Sequence, residues 1–208
     1  ILWHMHQPDY RFPGRKRMAL PWVRLHAVKD YLDMPLLAAR HPRIRVTFNL
    51  VPSLLDQLEL YLQGGVDRHM ELSVRDADGL TPSEKDEIRD TFFLGNQRTM
   101  IAPYPRFAQL ALMRQSQTPF TTQDLRDLKV WSQLAWIDPE FRGEEPISGM
   151  FARGRDFTDD DARAVVEFHI RLIGRVIPTY RELFASGKIG LSVSPYFHPI
   201  LPLVCDTH

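Results

Sequence analysis

Two histidines near the start of the chain have the residue types and the spacing to bind one ligand together. They stand in the segment His-Met-His-Gln-Pro, residues 4–8, and the apolar residues before them predict a short buried strand over residues 1–6 that Pro8 ends. Alternate residues of a strand point to the same side, so we expect His4 and His6 to face one way. Two such imidazoles can bind a metal ion or donate hydrogen bonds to a sugar hydroxyl. Isolated pairs of this kind also occur as polar caps of strands.

Two further polar clusters follow predicted strands. Asn49 ends one strand, where its amide can donate and accept toward a hydroxyl, although a plain turn residue is the alternative interpretation. Residues 192–199 follow another strand and supply an aromatic face, Tyr196, and an imidazole, His198; the alternative is a proline-rich connection that buries its aromatic rings. The carboxyl ends of parallel barrel strands carry the active site, so we expect these clusters to lie together.

Trp22 and Arg24 form a weaker fourth group after a basic loop. Trp22 could line a pocket and Arg24 could pair with a carboxylate, whereas the alternative is the start of a helix that packs on the strands. Carboxylates such as Asp56 and Glu59 lie in predicted helices and are interpreted as solvated. Asp9 is the exception, since it follows the histidines at a strand end.

The elements that must position these residues alternate between strands and helices. Strands are predicted over residues 1–6, 43–50 and 189–194, and helices between them imply a parallel sheet or barrel. The helix-rich stretch at about 66–157 is longer than one crossover requires and is interpreted as an insertion between the second and third strands. We therefore predict an α/β fold, a partial (β/α) barrel over residues 1–208. The predicted helices cover 22–33, 33–39, 52–63, a segment from Thr81, 105–115, 122–137 and 158–187, with irregular segments at 66–80 and 138–157.

Composition excludes several classes of partner. Lysine plus arginine and aspartate plus glutamate both number 26, so bulk charge gives no support for binding to nucleic acid or to an anionic membrane. No apolar run approaches the roughly 20 residues that span a bilayer. Cys205 is the only cysteine, which excludes an internal disulfide and predicts a reducing, cytoplasmic location. Because Ile1 already stands inside an apolar run, we also expect the chain to be a piece of a longer protein.

In this order, the clusters resemble glycoside hydrolase family 57. Residues 2–8 resemble the first signature of that family, whose core is His-Gln-Pro. Residues 20–26 and 46–54 are similar to the segments that follow it in the branch of amylases, amylopullulanases and 4-α-glucanotransferases. Residues 194–203 resemble the stretch around the second signature. The resemblance spans essentially the whole chain.

The resemblance implies a (β/α)7 barrel and retaining hydrolysis or transfer of α-glucosidic bonds. It implies a Glu nucleophile and an Asp acid/base, whose carboxyl groups must lie about 5–5.5 Å apart. In the family these residues belong to later signatures, so we name no catalytic residue in this chain. The partner that it implies is an α-glucan or maltooligosaccharide, and we predict no metal and no cofactor. The predicted substrate-binding residues are His4 and His6 at the −1 subsite, with Gln7, Asn49, Trp22 and His198.

One position departs from the family pattern. The second signature usually has a substrate-contacting Glu four residues before its Ser-Pro pair, and here that position is Gly190. The departure leaves three alternatives, which are an altered specificity, compensation by a residue such as Ser192, or an inactive relative. Two other functions also stay open: a metal-dependent hydrolase built on the His-x-His pair with His198, and a non-catalytic glycan-binding relative.

Overall fold

Short strands alternate with helices along the chain. The computed structural model describes residues 1–199 and 201–205. Ile200, which the second-signature segment includes, and the C-terminal residues 206–208 lie outside this range. The strands are β1 (Leu2–Met5), β2 (Arg17–Met18), β3 (Thr47–Leu50), β4 (Val66–Asp67) and β5 (Gly190–Val193). The α-helices are α1 (Trp22–His26), α2 (Asp33–Arg40), α3 (Pro52–Leu62), α4 (Arg68–Val74), α5 (Pro82–Thr91), α6 (Pro105–Gln115), α7 (Thr122–Leu134), α8 (Ile147–Arg153), α9 (Asp159–Ala185) and α10 (Leu201–Cys205). Short π-helical turns lie at Ala27–Tyr31 and Gln97–Ile101, and 3₁₀ turns at Ala77–Gly79 and Pro139–Phe141.

A parallel sheet in the order β1-β3-β5 joins the three strands that the sequence predicts, which confirms an α/β fold. The central strand β3 is held by its buried Phe48, whose ring packs edge-on against Tyr180 with centroids 5.2 Å apart. In this register, Thr47 pairs with Leu2 on one side and with Gly190 on the other. Residues in one such row share a face of the sheet, so the register decides which polar side chains meet.

Two expectations about the strands are wrong. Leu2 and Trp3 are 67% and 48% exposed, although their apolar character predicted a fully buried strand. Within residues 1–199 and 201–205, β1 pairs along one edge only, with β3, and it buries mainly Met5. The second strand is also shorter than the predicted 43–50, because its first residues are exposed and only Thr47–Leu50 pair.

Two of the helices in the described part of the chain begin with a capping box. Thr81 and Glu84 form a complete capping box at the start of α5, and Thr121 and Asp124 form another at the start of α7. Each box satisfies amides that the first helical turn leaves without an intrahelical partner. Helix α2 begins differently, with Asp33 as its first residue after Leu32, whose side chain makes no capping bond.

Both segments predicted as irregular contain a helix. Within 66–80, α4 is capped by Asp67, whose carboxylate accepts a 2.7 Å hydrogen bond from the Met70 amide. Within 138–157, α8 is followed directly by Gly154, where φ is +69°. This left-handed conformation strains residues other than glycine, and it explains why the helix stops there.

The chain divides into two compact units. The first, called here the sheet unit, contains residues 1–66 and the described residues from 172 onward. The second, called here the helical unit, contains residues 67–171. In sequence, the helical unit stands between the second and third strands of the parallel sheet, and α9 contributes its first part to the helical unit and its second part to the sheet unit.

Buried ion pairs hold the helical unit together. The fully buried carboxylate of Asp127 accepts hydrogen bonds from Arg106 Nε at 2.6 Å, from Gln123 Nε2 at 2.9 Å and from the Phe157 amide at 2.9 Å. Arg106, itself 9% exposed, also donates to Asp124 at 2.7 Å. Burial of a charge is unfavourable unless the charge is paired and hydrogen-bonded, so Asp127 and Arg106 depend on each other.

We expect Asp127→Ala to lower the free energy of unfolding by about 3–5 kcal/mol, because it leaves the buried Arg106 guanidinium without its main partner. A matched control is Asp86→Ala, which removes a carboxylate that is 60% exposed and pairs with Arg89. Its expected effect is below about 0.5 kcal/mol. Urea denaturation followed by tryptophan fluorescence measures both. Equal effects of the two substitutions would contradict the role given to the buried network.

Candidate functional site

Asn49 connects the ends of all three parallel strands. The register places it directly between His4 of β1 and Ser192 of β5. Asn49 Oδ1 lies 2.7 Å from His4 Nδ1 and accepts a 2.8 Å hydrogen bond from Ser194 Oγ, while Asn49 Nδ2 donates to Ser192 Oγ at 3.0 Å. Because the amide oxygen only accepts, His4 carries its proton on Nδ1. In the neutral ring, this leaves His4 Nε2 as an acceptor.

Three imidazoles meet at this end of the sheet. The ring centroids of His4 and His6 are 5.6 Å apart, and His198 lies 4.4 Å from His4 and 5.2 Å from His6. His4 and His198 are exposed, and His6 is half-buried. The structure thus brings together three of the predicted site residues, from segments almost 200 positions apart.

The surroundings of His6 favour its neutral form. Burial lowers the pKa of His6 below its ordinary value, and the nearby His198 and His4 lower it further. A neutral imidazole has one N–H donor and one acceptor nitrogen. The His6 ring can therefore both donate to and accept from hydroxyl groups.

Gln7 is held between two tyrosines. Its Nε2 donates to Tyr31 Oη at 3.0 Å, and its Oε1 accepts from Tyr10 Oη at 3.0 Å. Burial raises the pKa of Tyr31 above its ordinary value, so this hydroxyl stays protonated. Gln7 thus orients the end of β1 through both ends of its amide.

Trp22 stands at the start of α1. Its half-buried indole contacts the His26 ring at a centroid distance of 6.4 Å, and His26 in turn contacts Tyr31 at 6.1 Å. His26 Nδ1 lies 2.5 Å from an Asp30 carboxylate oxygen. Trp22 is thus linked to Gln7 through these rings. Arg24, the other residue of this predicted group, is fully buried.

Asp9, the carboxylate nearest the histidines in sequence, is engaged by arginine. Arg11 Nε and Nη2 donate to the two oxygens of Asp9 at 2.8 and 2.7 Å. These hydrogen bonds from Arg11 are the main reason why the pKa of Asp9 is lowered. A carboxyl group held ionised in this way is poorly suited to act as a general acid near neutral pH.

Gln57, a residue that belongs to none of the predicted clusters, holds the loop after β1. Gln57 is fully buried, its Nε2 donates to the Pro8 carbonyl at 3.0 Å, and its Oε1 accepts from the Tyr10 amide at 2.9 Å. A signal was present, because Gln57 occupies one position of the helical stripe that Leu54 and Leu58 begin. A polar residue inside an apolar stripe indicates a buried hydrogen-bonding role.

Gly190 lies opposite Thr47, which stands two residues before Asn49 in β3 and therefore on the same face of the sheet. A Cβ atom at Gly190 would come within 2.6 Å of Thr47 Oγ1, closer than real contacts allow. Any side chain at position 190 therefore requires Thr47 to move.

The described part of the chain contains neither a ready metal-binding cluster nor a helix that could span a membrane. Among residues 1–199 and 201–205, no group of three or more His, Cys, Asp or Glu side chains is arranged to hold a metal ion. None of the helices in that same part combines the length and the low polarity that crossing a bilayer requires.

A known family model matches the sequence of this chain. The profile described as Glycosyl hydrolase family 57 matches residues 1–208. The chain therefore belongs to glycosyl hydrolase family 57, as its sequence motifs indicate. Searches of curated proteins and of solved structures give no match.

We expect His198→Ala to raise the pKa of His6 part of the way toward about 6.5, because one of the two neighbouring imidazoles that lower it is lost while burial remains. An NMR titration of the His6 ring protons measures this change. An unchanged or lower pKa of His6 in the folded variant would contradict the cluster geometry.

The same lowered pKa predicts the direction of a stability change. As the pH falls below about 6.5, the unfolded chain protonates His6 before the folded chain does. The contribution of His6 to the free energy of unfolding therefore falls between about pH 6.5 and its folded pKa. Urea midpoints of wild type and His6→Asn across this range measure it, and we expect the variant to depend less on pH.

Proposed function

We propose that this chain forms part of the substrate-binding wall of a family 57 enzyme that hydrolyses or transfers α-glucosidic bonds in α-glucans with retention of configuration. In this proposal, the parallel sheet belongs to a (β/α)7 barrel in which residues of about 66–157 are an insertion. The observation that carries the proposal is the cluster of His4, His6 and His198, which lies at the carboxyl ends of parallel strands and is braced by Asn49. In barrels, that end is where substrates bind.

The chemistry of the cluster suits a neutral, hydroxyl-rich ligand. Its imidazoles offer both donors and acceptors. The two residues directly before His198 add aromatic surface, since Tyr196 is 38% and Phe197 is 62% exposed. Aromatic faces pack against the apolar faces of sugar rings. The substrate-binding residues that we propose are His4, His6 and His198 in contact with sugar, with Gln7 and Asn49 holding the strand ends and Trp22 lining the outer wall.

The bond-breaking carboxylates are proposed to come from other parts of the protein. Asp9 is engaged by Arg11, and Asp56 accepts hydrogen bonds from Tyr196 and Arg11. Both carboxylates thus bind the same guanidinium, and in this proposal they position Arg11 and Tyr196, whereas a retaining glycosidase uses two carboxyl groups about 5–5.5 Å apart as nucleophile and acid/base. This chain then binds and orients the sugar. The proposal needs no cofactor and no nucleic acid, and it keeps the cytoplasmic location predicted from the single cysteine.

Glycan binding without turnover is the second candidate function. Gly190 favours it, because a glycine offers no side-chain hydrogen bond where the family usually has Glu. An enzyme of altered specificity is compatible with the same observation. An assay of turnover distinguishes such an enzyme from a protein that only binds glycans.

We expect the whole protein to shorten or transfer maltooligosaccharides and to form products of retained anomeric configuration, which NMR of fresh products detects. Binding of maltoheptaose without any turnover would favour the glycan-binding alternative instead. Absence of both binding and turnover would overturn both candidates.

We expect His6→Ala to lower kcat/KM of the whole protein on maltoheptaose by about 1–3 kcal/mol, the effect of leaving a buried polar contact without its partner. His41→Ala, at an exposed position after α2, is the matched control and should leave kcat/KM unchanged. Unchanged kinetics in a folded His6→Ala variant would refute a role of His6 in sugar binding.

A further inference from the structure

The hydroxyl of Tyr196 links three separate parts of the sheet unit. It donates to Asp56 Oδ2 on α3, and it accepts a 3.0 Å hydrogen bond from Arg11 Nη2 in the loop after β1. Arg11 is fixed in turn by its bonds to both oxygens of Asp9. A phenol that donates to a carboxylate loses that bond on ionisation, and the pKa of Tyr196 is raised mainly for this reason.

The backbone of Tyr196 is held by the same helix. Its carbonyl accepts a 3.2 Å hydrogen bond from the Ser53 amide in the first turn of α3. Amides of a first helical turn have no partner within their helix, so this bond satisfies one of them. Ser53 and Asp56 are three residues apart and lie on one side of the helix. Tyr196 is therefore attached to α3 at two points, through its carbonyl and through its hydroxyl.

Helix α3 also holds the segment that carries the other two histidines. Gln57, next to Asp56, binds the Pro8 carbonyl and the Tyr10 amide. The loop that follows His4 and His6 and the loop that contains His198 are thus anchored on adjacent residues of one helix.

The conformation of His198 requires such an anchor. Its amide donates to the Pro195 carbonyl at 2.8 Å, which closes a tight turn, and its φ is +53°. For a residue with a Cβ atom, this left-handed conformation is unfavourable and persists where the surroundings impose it. Tyr196 lies inside this turn, between Pro195 and His198.

We propose that Tyr196 is a positioning residue, which the clamp of Asp56, Arg11 and Ser53 fixes on α3 so that His198 stands against His4 and His6. The same clamp presents Phe197, whose ring meets that of Tyr196 edge-on at 4.6 Å, as the outward aromatic surface. The effect of the clamp on the position of His198 does not depend on the proposed function. The effect of that position on the binding of sugar rests on the proposed function.

The clamp acts through geometry more than through stability. Its charged and polar members are partly exposed, and exposed pairs of this kind contribute little to the free energy of unfolding. A displacement of about 1 Å in a binding group can nevertheless reduce activity by about 100-fold. We therefore expect loss of the Tyr196 hydroxyl to move His198 while the protein stays folded.

The test is Tyr196→Phe, which keeps the ring and removes the hydroxyl. We expect the NOEs between the ring protons of His198 and those of His4 and His6 to weaken or disappear. We expect the affinity for maltoheptaose, measured by calorimetry, to fall on the order of tenfold. Tyr104→Phe in the helical unit is the matched control and should change neither. Circular dichroism and thermal unfolding establish that each variant is folded.

A second substitution separates the clamp from general damage. Asp56→Ala removes the acceptor on α3 and leaves Tyr196 intact. If both residues belong to one clamp, the double variant should change the chemical shifts of the histidine ring protons little more than Tyr196→Phe alone does. If Tyr196→Phe fails to fold, Asp56→Ala alone carries the test of the NOEs. Additive effects of the two substitutions would overturn a shared clamp.

The outcomes distinguish the clamp from the proposed function. Unchanged NOEs and ring shifts in folded Tyr196→Phe would overturn the positioning role. Lost NOEs in a protein whose wild type binds no maltoheptaose would support the clamp and count against the sugar site. Lost NOEs with unchanged affinity would overturn the link between the position of His198 and the binding of sugar.

Discussion

The hydrogen bonds of Asn49 across the parallel sheet join the register of the strands to the geometry of the site. Its oxygen meets His4 and Ser194, and its nitrogen meets Ser192, so one amide ties the ends of three strands. Alternate residues of a strand face opposite sides, so a slip of one residue would turn Asn49 to the other face and break all these bonds. The strand-end polar groups therefore specify the pairing as well as the site. The position of His4 follows directly from this row, while that of His198 needs the additional support of α3.

The meeting of the histidines could be predicted because it depends on a general rule. Strands separated by helices run parallel, and the carboxyl ends of parallel strands share an edge, so polar residues after His4 and around Asn49 had to come close. The contacts of Tyr196 with Asp56 could not be predicted in this way. They join positions 140 residues apart through the orientation of one helix, and local patterns contain no information on that orientation.

The errors in the elements have a similar origin. Composition predicted that the segment with Leu2 and Trp3 is buried, whereas burial depends on what covers a strand, and β1 is covered on one edge in the described residues. Helix α4 was not predicted because its sequence is polar. Its buried face uses His69 and Ser73 beside Leu72, and Arg68 pairs with acidic residues. A helix stabilised by hydrogen bonds and ion pairs lacks the apolar stripe by which helices are identified.

The row that contains Gly190 shows how the departure from the family pattern fits the structure. Compensation by Ser192 is one of the three alternatives for the missing Glu, and the Ser192 hydroxyl accepts a hydrogen bond from Asn49 Nδ2. Thr47 stands nearer to the place that a side chain at position 190 would occupy, since its Oγ1 fills the space of the absent Cβ. Glycine at 190 and threonine at 47 are therefore sterically matched. A side chain at 190 would collide with that hydroxyl, so Gly190→Glu requires Thr47 to move or to be replaced by a smaller residue.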